Sequence, residues 1–133
     1  MTVTFFGAPT ALAVWAAMPA AETEFAGGVT TRQRVNLAGK TSFRIQANVG
    51  TGGFAGSKLR VKYSLDSGST WTTIESAAGT SGDVAVSSTG LQVGASATLA
   101  TAAAVSNVWL AVFGVSGNGA VSPTFASVTV TFA

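Results

Sequence analysis

The stretch Lys58-Leu59-Arg60-Val61-Lys62-Tyr63-Ser64-Leu65-Asp66-Ser67-Gly68-Ser69-Thr70-Trp71-Thr72-Thr73-Ile74 decides the fold. Leu59, Val61 and Tyr63 alternate with Lys58, Arg60 and Lys62, so an extended chain here presents one apolar and one basic face. Asp66-Ser67-Gly68-Ser69 interrupts that period with turn formers, and Trp71 to Ile74 resumes it with residues that favour strands. The pattern predicts a β-hairpin. Asp66 is placed to accept hydrogen bonds from backbone N–H groups just beyond it, Gly68 supplies a positive φ, and Trp71 restarts the second strand as an apolar anchor.

Alternation continues on both sides. Upstream, Thr31, Gln33, Val35 and Leu37 oppose Arg32, Arg34 and Asn36; Phe43, Ile45, Ala47 and Val49 then oppose Ser42, Arg44, Gln46 and Asn48. Downstream, Asp83 to Ser88 reads as a short edge strand, and Leu91, Val93, Ala97 and Leu99 give weaker signals in a Gly/Ser/Ala-rich region. Val108 to Val115 is apolar on both faces, as in a central strand covered on each side. The chain ends on an alternating segment from Phe125 to Phe132, which sets Ala126, Val128, Val130 and Phe132 against Ser127, Thr129 and Thr131. The count is about eight short strands with no amphipathic helix. The expected fold is therefore an all-β antiparallel sandwich, jelly-roll-like, over residues 29–133. Residues 1–28 read as an apolar arm and linker: Thr2 to Phe6 is a short strand, Ala11 to Met18 carries Trp15, and Glu22 to Gly28 is a solvated connection. Gly7, Pro9, Thr10 and Pro19 interrupt the apolar run, which argues against a membrane helix.

Ser64-Leu65-Asp66-Ser67-Gly68-Ser69-Thr70-Trp71 resembles an Asp-box, Ser-x-Asp-x-Gly-x-Thr-Trp, the turn that repeats once per blade in sialidase-like propellers. One copy in 133 residues is too little for a propeller of four-stranded blades. The motif is read as a brace for the hairpin, with Asp66, Gly68 and Trp71 as structural residues.

Charged residues make up 9% of the chain, against about 25% in ordinary globular proteins, while hydrophobic residues reach 47%. A surface so poor in charge points to small neutral residues outside and to extensive contact with neighbours. The seven basic residues all lie between Arg32 and Lys62, and Val84 to Ala133 carries no charge. The absence of His and Cys removes the usual nucleophile–base pairs and most zinc sites. The acids Glu22, Glu24, Asp66, Glu75 and Asp83 form no pattern of paired catalytic carboxylates, and Gly50 to Gly56 lacks the Lys-Ser/Thr of a phosphate loop. The expectation is a protein without enzymatic activity or cofactor.

Arg32, Arg34, Arg44, Lys58, Arg60 and Lys62 would gather on one surface if their strands share a sheet. Two readings stand: edge protection and solubility, or a docking face for an acidic partner. Nucleic acid is disfavoured because aromatics do not alternate with these cations. Trp15 is the candidate exposed platform, since strand parity turns Trp71 and Trp109 inward.

In Trp15…Met18-Pro19-Ala20-Ala21, Thr31-Arg32-Gln33-Arg34-Val35, the hairpin Leu59 to Trp71, and Val108-Trp109-Leu110…Ser122-Pro123-Thr124-Phe125, the chain resembles small all-β virion proteins of tailed bacteriophages, in particular head decoration (cement) proteins. The resemblance implies a non-enzymatic protein on the capsid exterior, bound to the major capsid protein and often trimeric. The alternative from a different class is a carbohydrate-binding or receptor-binding β-sandwich module of a phage tail, fibre or secreted protein.

Overall fold

The computed structural model describes residues 1–6, 13–14, 22–24, 32–50, 56–115 and 124–133. Its strands are β1 (Thr2–Phe6), β2 (Ala13–Val14), β3 (Thr23–Glu24), β4 (Gln33–Val35), β5 (Ser42–Val49), β6 (Ser57–Ser64), β7 (Thr72–Thr73), β8 (Val84–Val86), β9 (Gly90–Val93), β10 (Ala97–Thr98), β11 (Val108–Val115) and β12 (Thr124–Phe132). They form two six-membered antiparallel sheets that pack face to face around one core.

The expected count of about eight differs from these twelve segments for a simple reason: the edge strands are broken. In the first sheet β12 and β5 lie at the centre, with β1 and β2 both paired to β12 and β9 and β10 both paired to β5. The second sheet repeats the plan, with β11 and β6 central, β3 and β4 both on β11, and β7 and β8 both on β6. Each edge pair runs along one central strand in one direction and acts as a single interrupted strand. Counted that way there are four positions per sheet. The chain visits an edge of each sheet, the two centres, the opposite edges, and the centres again, which is jelly-roll order.

Alternation sets the core. Phe43, Ile45, Ala47 and Val49 of β5, Leu59, Val61 and Tyr63 of β6, and Val108, Leu110 and Val112 of β11 are all buried. Full burial of a side chain such as Leu59 or Leu110 stabilises the fold by about 1.5–3 kcal/mol. On β12 the expected face needs one correction. The register of β12 on β5 slips between Phe125 and Ser127, so Phe125 is fully buried while Ala126 is not. A bulge adds a residue and switches the parity on one side of it; from Val128 onward the expected alternation holds.

A Cβ on Gly94 would lie 2.7 Å from the Gly82 carbonyl oxygen, so the backbones leading from β9 and into β8 approach as only glycine allows. Of the segment expected as an arm, residues 1–6 pack on their own domain: β1 pairs with β12, and Val3 and Phe5 join the core. Glu22 to Glu24 is not solvated linker. Thr23 and Glu24 form β3 opposite Gly114 and Phe113.

Candidate functional site

The charged residues singled out by the sequence lie mainly on the outward face of the second sheet. Inward Leu59, Val61 and Tyr63 leave Lys58, Arg60 and Lys62 outside on β6, and inward Val108, Leu110 and Val112 leave Trp109, Ala111 and Phe113 outside on β11. Register sets them side by side: Phe113 opposite Arg60, Ala111 opposite Lys62, Trp109 opposite Ser64.

The hairpin turn borders this face. Ser64 Oγ donates to Asp66 Oδ1 (2.6 Å) and accepts from the Gly68 N–H (2.8 Å). Asp66 Oδ1 also accepts from the Thr70 N–H (2.9 Å), and Oδ2 from the Thr70 hydroxyl (2.6 Å). The Ser64 hydroxyl, helped by the Thr70 hydroxyl and N–H, holds the Asp66 carboxyl down at about 2. Ser67 and Gly68 both take positive φ, 60° and 92°. Gly68 does more than turn the chain: a Cβ there would lie 2.7 Å from Arg32 Nη1 and 3.3 Å from Trp71 Cζ2. The Arg32 guanidinium therefore lies against the turn backbone. It also stands 5.1 Å from the centroid of the Trp71 ring, and Trp71 meets Phe113 edge-on at 5.7 Å. Both contacts are favourable for a quadrupolar ring.

The cations on this face are largely neutralised by acids from other elements. Arg32 forms a bidentate pair with Glu24 (2.7 and 2.8 Å). Arg60 binds Asp83 through Nη2 (2.7 Å) and Glu22 through Nη1 (2.5 Å), and Lys62 Nζ also binds Glu22. The Lys62 ammonium lies 5.2 Å from the Phe113 ring centroid. Burial raises the Glu22 carboxyl, but hydrogen bonds from Lys62 and Arg60 outweigh it and leave a net lowering. The Asp83 hydrogen bond raises the Arg60 guanidinium despite burial. The side chains are 8% exposed at Asp83 and 18% at Arg60, so these pairs are partly withdrawn from water.

Three expectations change here. Arg44 does not share the surface of the other five cations, because β5 belongs to the first sheet; it is exposed there beside a depression of about 260 Å³ lined by Ser42, Gln46, Ser96 and Thr131. Glu22 and Glu24 carry structural ion pairs that alternation along an isolated segment could not reveal. Trp71 and Trp109 are half-buried on the outer face, not in the core: Trp109 alternates with fully buried Val108 and Leu110, and Trp71 packs on outward Phe113. The covering of β11 on both sides does hold, with Ala111 at 0% and Phe113 at 8% exposure. Arg34 donates to Asn107 Oδ1 (2.6 Å), and Lys58 is exposed without an ion pair among the described residues. Trp15 lies outside the described residues.

The outer face of the first sheet is different in kind. Across it run the rows Thr4, Thr129, Gln46, Val93 and Thr2, Thr131, Arg44, with Asn48 beside Leu91. Arg44 is the one charged side chain of these rows. Among the described residues there is no group of three or more potential metal ligands. No known family matches this chain, and no curated protein is significantly similar to it.

Proposed function

We propose that this protein is a non-catalytic structural component of a phage particle, a decoration protein that docks on the outer surface of the head. The observation that carries this reading is the broad, nearly uncharged outer face of the first sheet, where Thr2, Thr4, Thr129, Thr131, Gln46 and Asn48 offer hydroxyls and amides at strand spacing. Such a surface is covered at little desolvation cost compared with a charged one. The carboxylates support the same reading: Glu22, Glu24 and Asp83 are in ion pairs, Asp66 ties its turn, and Glu75 binds Ser81 and the Gly82 N–H. Docking through the basic residues is the weaker route, since Arg32, Arg60 and Lys62 already have partners within the fold.

The test is co-sedimentation with purified heads of the phage whose genome encodes the chain. The expected result is saturable attachment at a fixed copy number, nearly independent of salt because apolar and neutral contacts carry it. No attachment at any salt, or non-saturating attachment, rejects the proposal.

One observation favours a second reading, a carbohydrate-binding module. Trp109 stands half-buried on the outer face beside Arg34, and an aromatic so placed is the platform a sugar ring needs. Glycan binding abolished by Trp109→Ala, with no attachment to heads, would select that reading.

A further inference from the structure

The edge strand β9 is built unlike the other edges. It carries Gly90-Leu91-Gln92-Val93, with Leu91 63% and Val93 50% exposed, and among the described residues it pairs with β5 alone. Edges in monomeric proteins are blunted by Lys, Pro or short, twisted strands. This one is short, at four residues, but carries neither Lys nor Pro, and no charged residue follows it to Ala133.

The register fixes which backbone groups are free. Gly94 N–H donates to the Ile45 carbonyl at 2.8 Å, so Ile45 and Gly94 are a hydrogen-bonded pair. Antiparallel pairs alternate, and the ladder Gln46–Val93, Ala47–Gln92, Asn48–Leu91, Val49–Gly90 has no slip. Gln92 and Gly90 therefore bond to β5. Leu91 and Val93 direct their N–H and C=O groups away from the sheet. Among the described residues the one contact to these groups is a 3.3 Å hydrogen bond from the Gln92 side-chain amide to the Leu91 carbonyl, and the same amide also reaches Ser88 Oγ.

We infer that β9 is an interface for a second copy of this chain, paired antiparallel about a two-fold axis through Gln92. Its two outward residues are self-complementary about that axis. Leu91 of one copy exchanges N–H···O bonds with Val93 of the other, and the reverse pair forms by symmetry. The side chains of each pair then meet about 5.5 Å apart at Cα on the same outer face, as an apolar cross-strand pair. Two identical strands bring like charges together wherever a strand is charged; β9 has none. The Gln92 amide swings off the Leu91 carbonyl to admit the partner. The result is one continuous sheet twice as wide, with the neutral faces of both copies side by side. A three-fold assembly would need a different surface.

The inference does not depend on the virion reading, and its test uses the isolated protein. The chain has no cysteine, so Leu91→Cys and Val93→Cys provide an unambiguous register probe. Mixed under mild oxidation, the two variants should give a covalent dimer, while each alone should give far less, since Leu91 faces Val93 and not another Leu91. Sedimentation should show concentration-dependent dimerisation of the unmodified chain. The double variant Leu91→Lys/Val93→Lys should weaken it on the order of tenfold or more with its circular dichroism unchanged. Dimerisation should return when that variant is mixed with Leu91→Glu/Val93→Glu. A monomer at every accessible concentration, association unaffected by the lysines, or equal cross-linking in mixed and separate samples would each overturn the interface.

Discussion

The two outer faces of this sandwich solve the same problem in opposite ways. Both belong to sheets with the same plan, two long central strands and two interrupted edges. The second sheet holds nearly all the charge: Glu24 grips Arg32, Arg32 covers Trp71, Trp71 meets Phe113, and Arg60 sits between Glu22 and Asp83. The first sheet carries threonines, amides and Arg44, and ends at an apolar edge. The charged face is thus largely satisfied by its own contacts, Lys58 apart. Among the described residues the neutral face and its edge make few side-chain hydrogen bonds at home, chiefly Thr2 with Thr131 and the Gln92 amide with Ser88 and the Leu91 carbonyl. What a protein offers to partners is therefore not read from where its charges are. It is read from which groups lack partners at home.

The largest effect should come from breaking the charged face at its centre. Arg60→Met leaves Asp83, whose side chain is 8% exposed, without its principal partner, and deprives Glu22 of one of two. Removing one member of a partly buried network costs about 2–4 kcal/mol, because the remaining carboxylate stays desolvated. Arg44→Met on the neutral face should change stability by less than about 0.5 kcal/mol. Urea unfolding of both variants checks the contrast. A loss below about 1 kcal/mol for Arg60→Met would mean these pairs behave as ordinary solvated surface bridges.

A smaller effect tests whether the hairpin turn belongs to the charged face. Gly68→Ala combines a φ of +92° with a Cβ 2.7 Å from Arg32 Nη1. Gly39→Ala is the control, since its φ is +79° but nothing lies within 4 Å of the added carbon. Each should lose about 1 kcal/mol from backbone strain. Gly68→Ala should lose about 1 kcal/mol more and alter tryptophan fluorescence as Arg32 leaves Trp71. Equal losses would show that Arg32 relocates freely and that the turn is independent of the face.

Much of this was legible in the sequence. Period-two alternation in Ser42 to Val49 and Lys58 to Tyr63 gave the inward faces correctly, because half-buried strands leave no other solution. The turn at Ser64 to Trp71 was legible because its side-chain to backbone bonds are local. Three features were not legible, each for a non-local reason. The pairing of Glu22 with Arg60 and Lys62 spans about forty residues. The bulge at Phe125 is set by register against β5. Strand parity turned Trp109 inward, since in a strand that is apolar on both faces a half-buried aromatic on the covered outer face has the same sequence signature as one inside. The free edge at β9 appears only when topology shows what lies beside it.

The smallest effect concerns Asp66, and it asks whether charge or shape holds the turn. Its carboxyl titrates at about 2 in the fold against 3.8 unperturbed, with the Ser64 hydroxyl the main cause and the Thr70 hydroxyl and N–H next. A group whose folded value is depressed adds stability above its unfolded value, and that contribution fades as pH falls toward the folded value. The window is therefore between about 4 and 2. Glu22 is lowered as well and adds to the same acid limb, so the wild-type curve alone does not separate them. The difference from Asp66→Asn does. That variant keeps the side chain's shape and an acceptor oxygen, but it cannot serve Ser64 and Thr70 as a charged acceptor. At pH 6 it should be the less stable protein. The gap between the two urea midpoints should narrow below about pH 4 and be mostly closed near pH 2, where the folded wild-type carboxyl is half neutral. A gap that stays constant over that range would show that geometry alone braces the hairpin, and that the charge of Asp66 is as dispensable as the neutral face implies for its own residues.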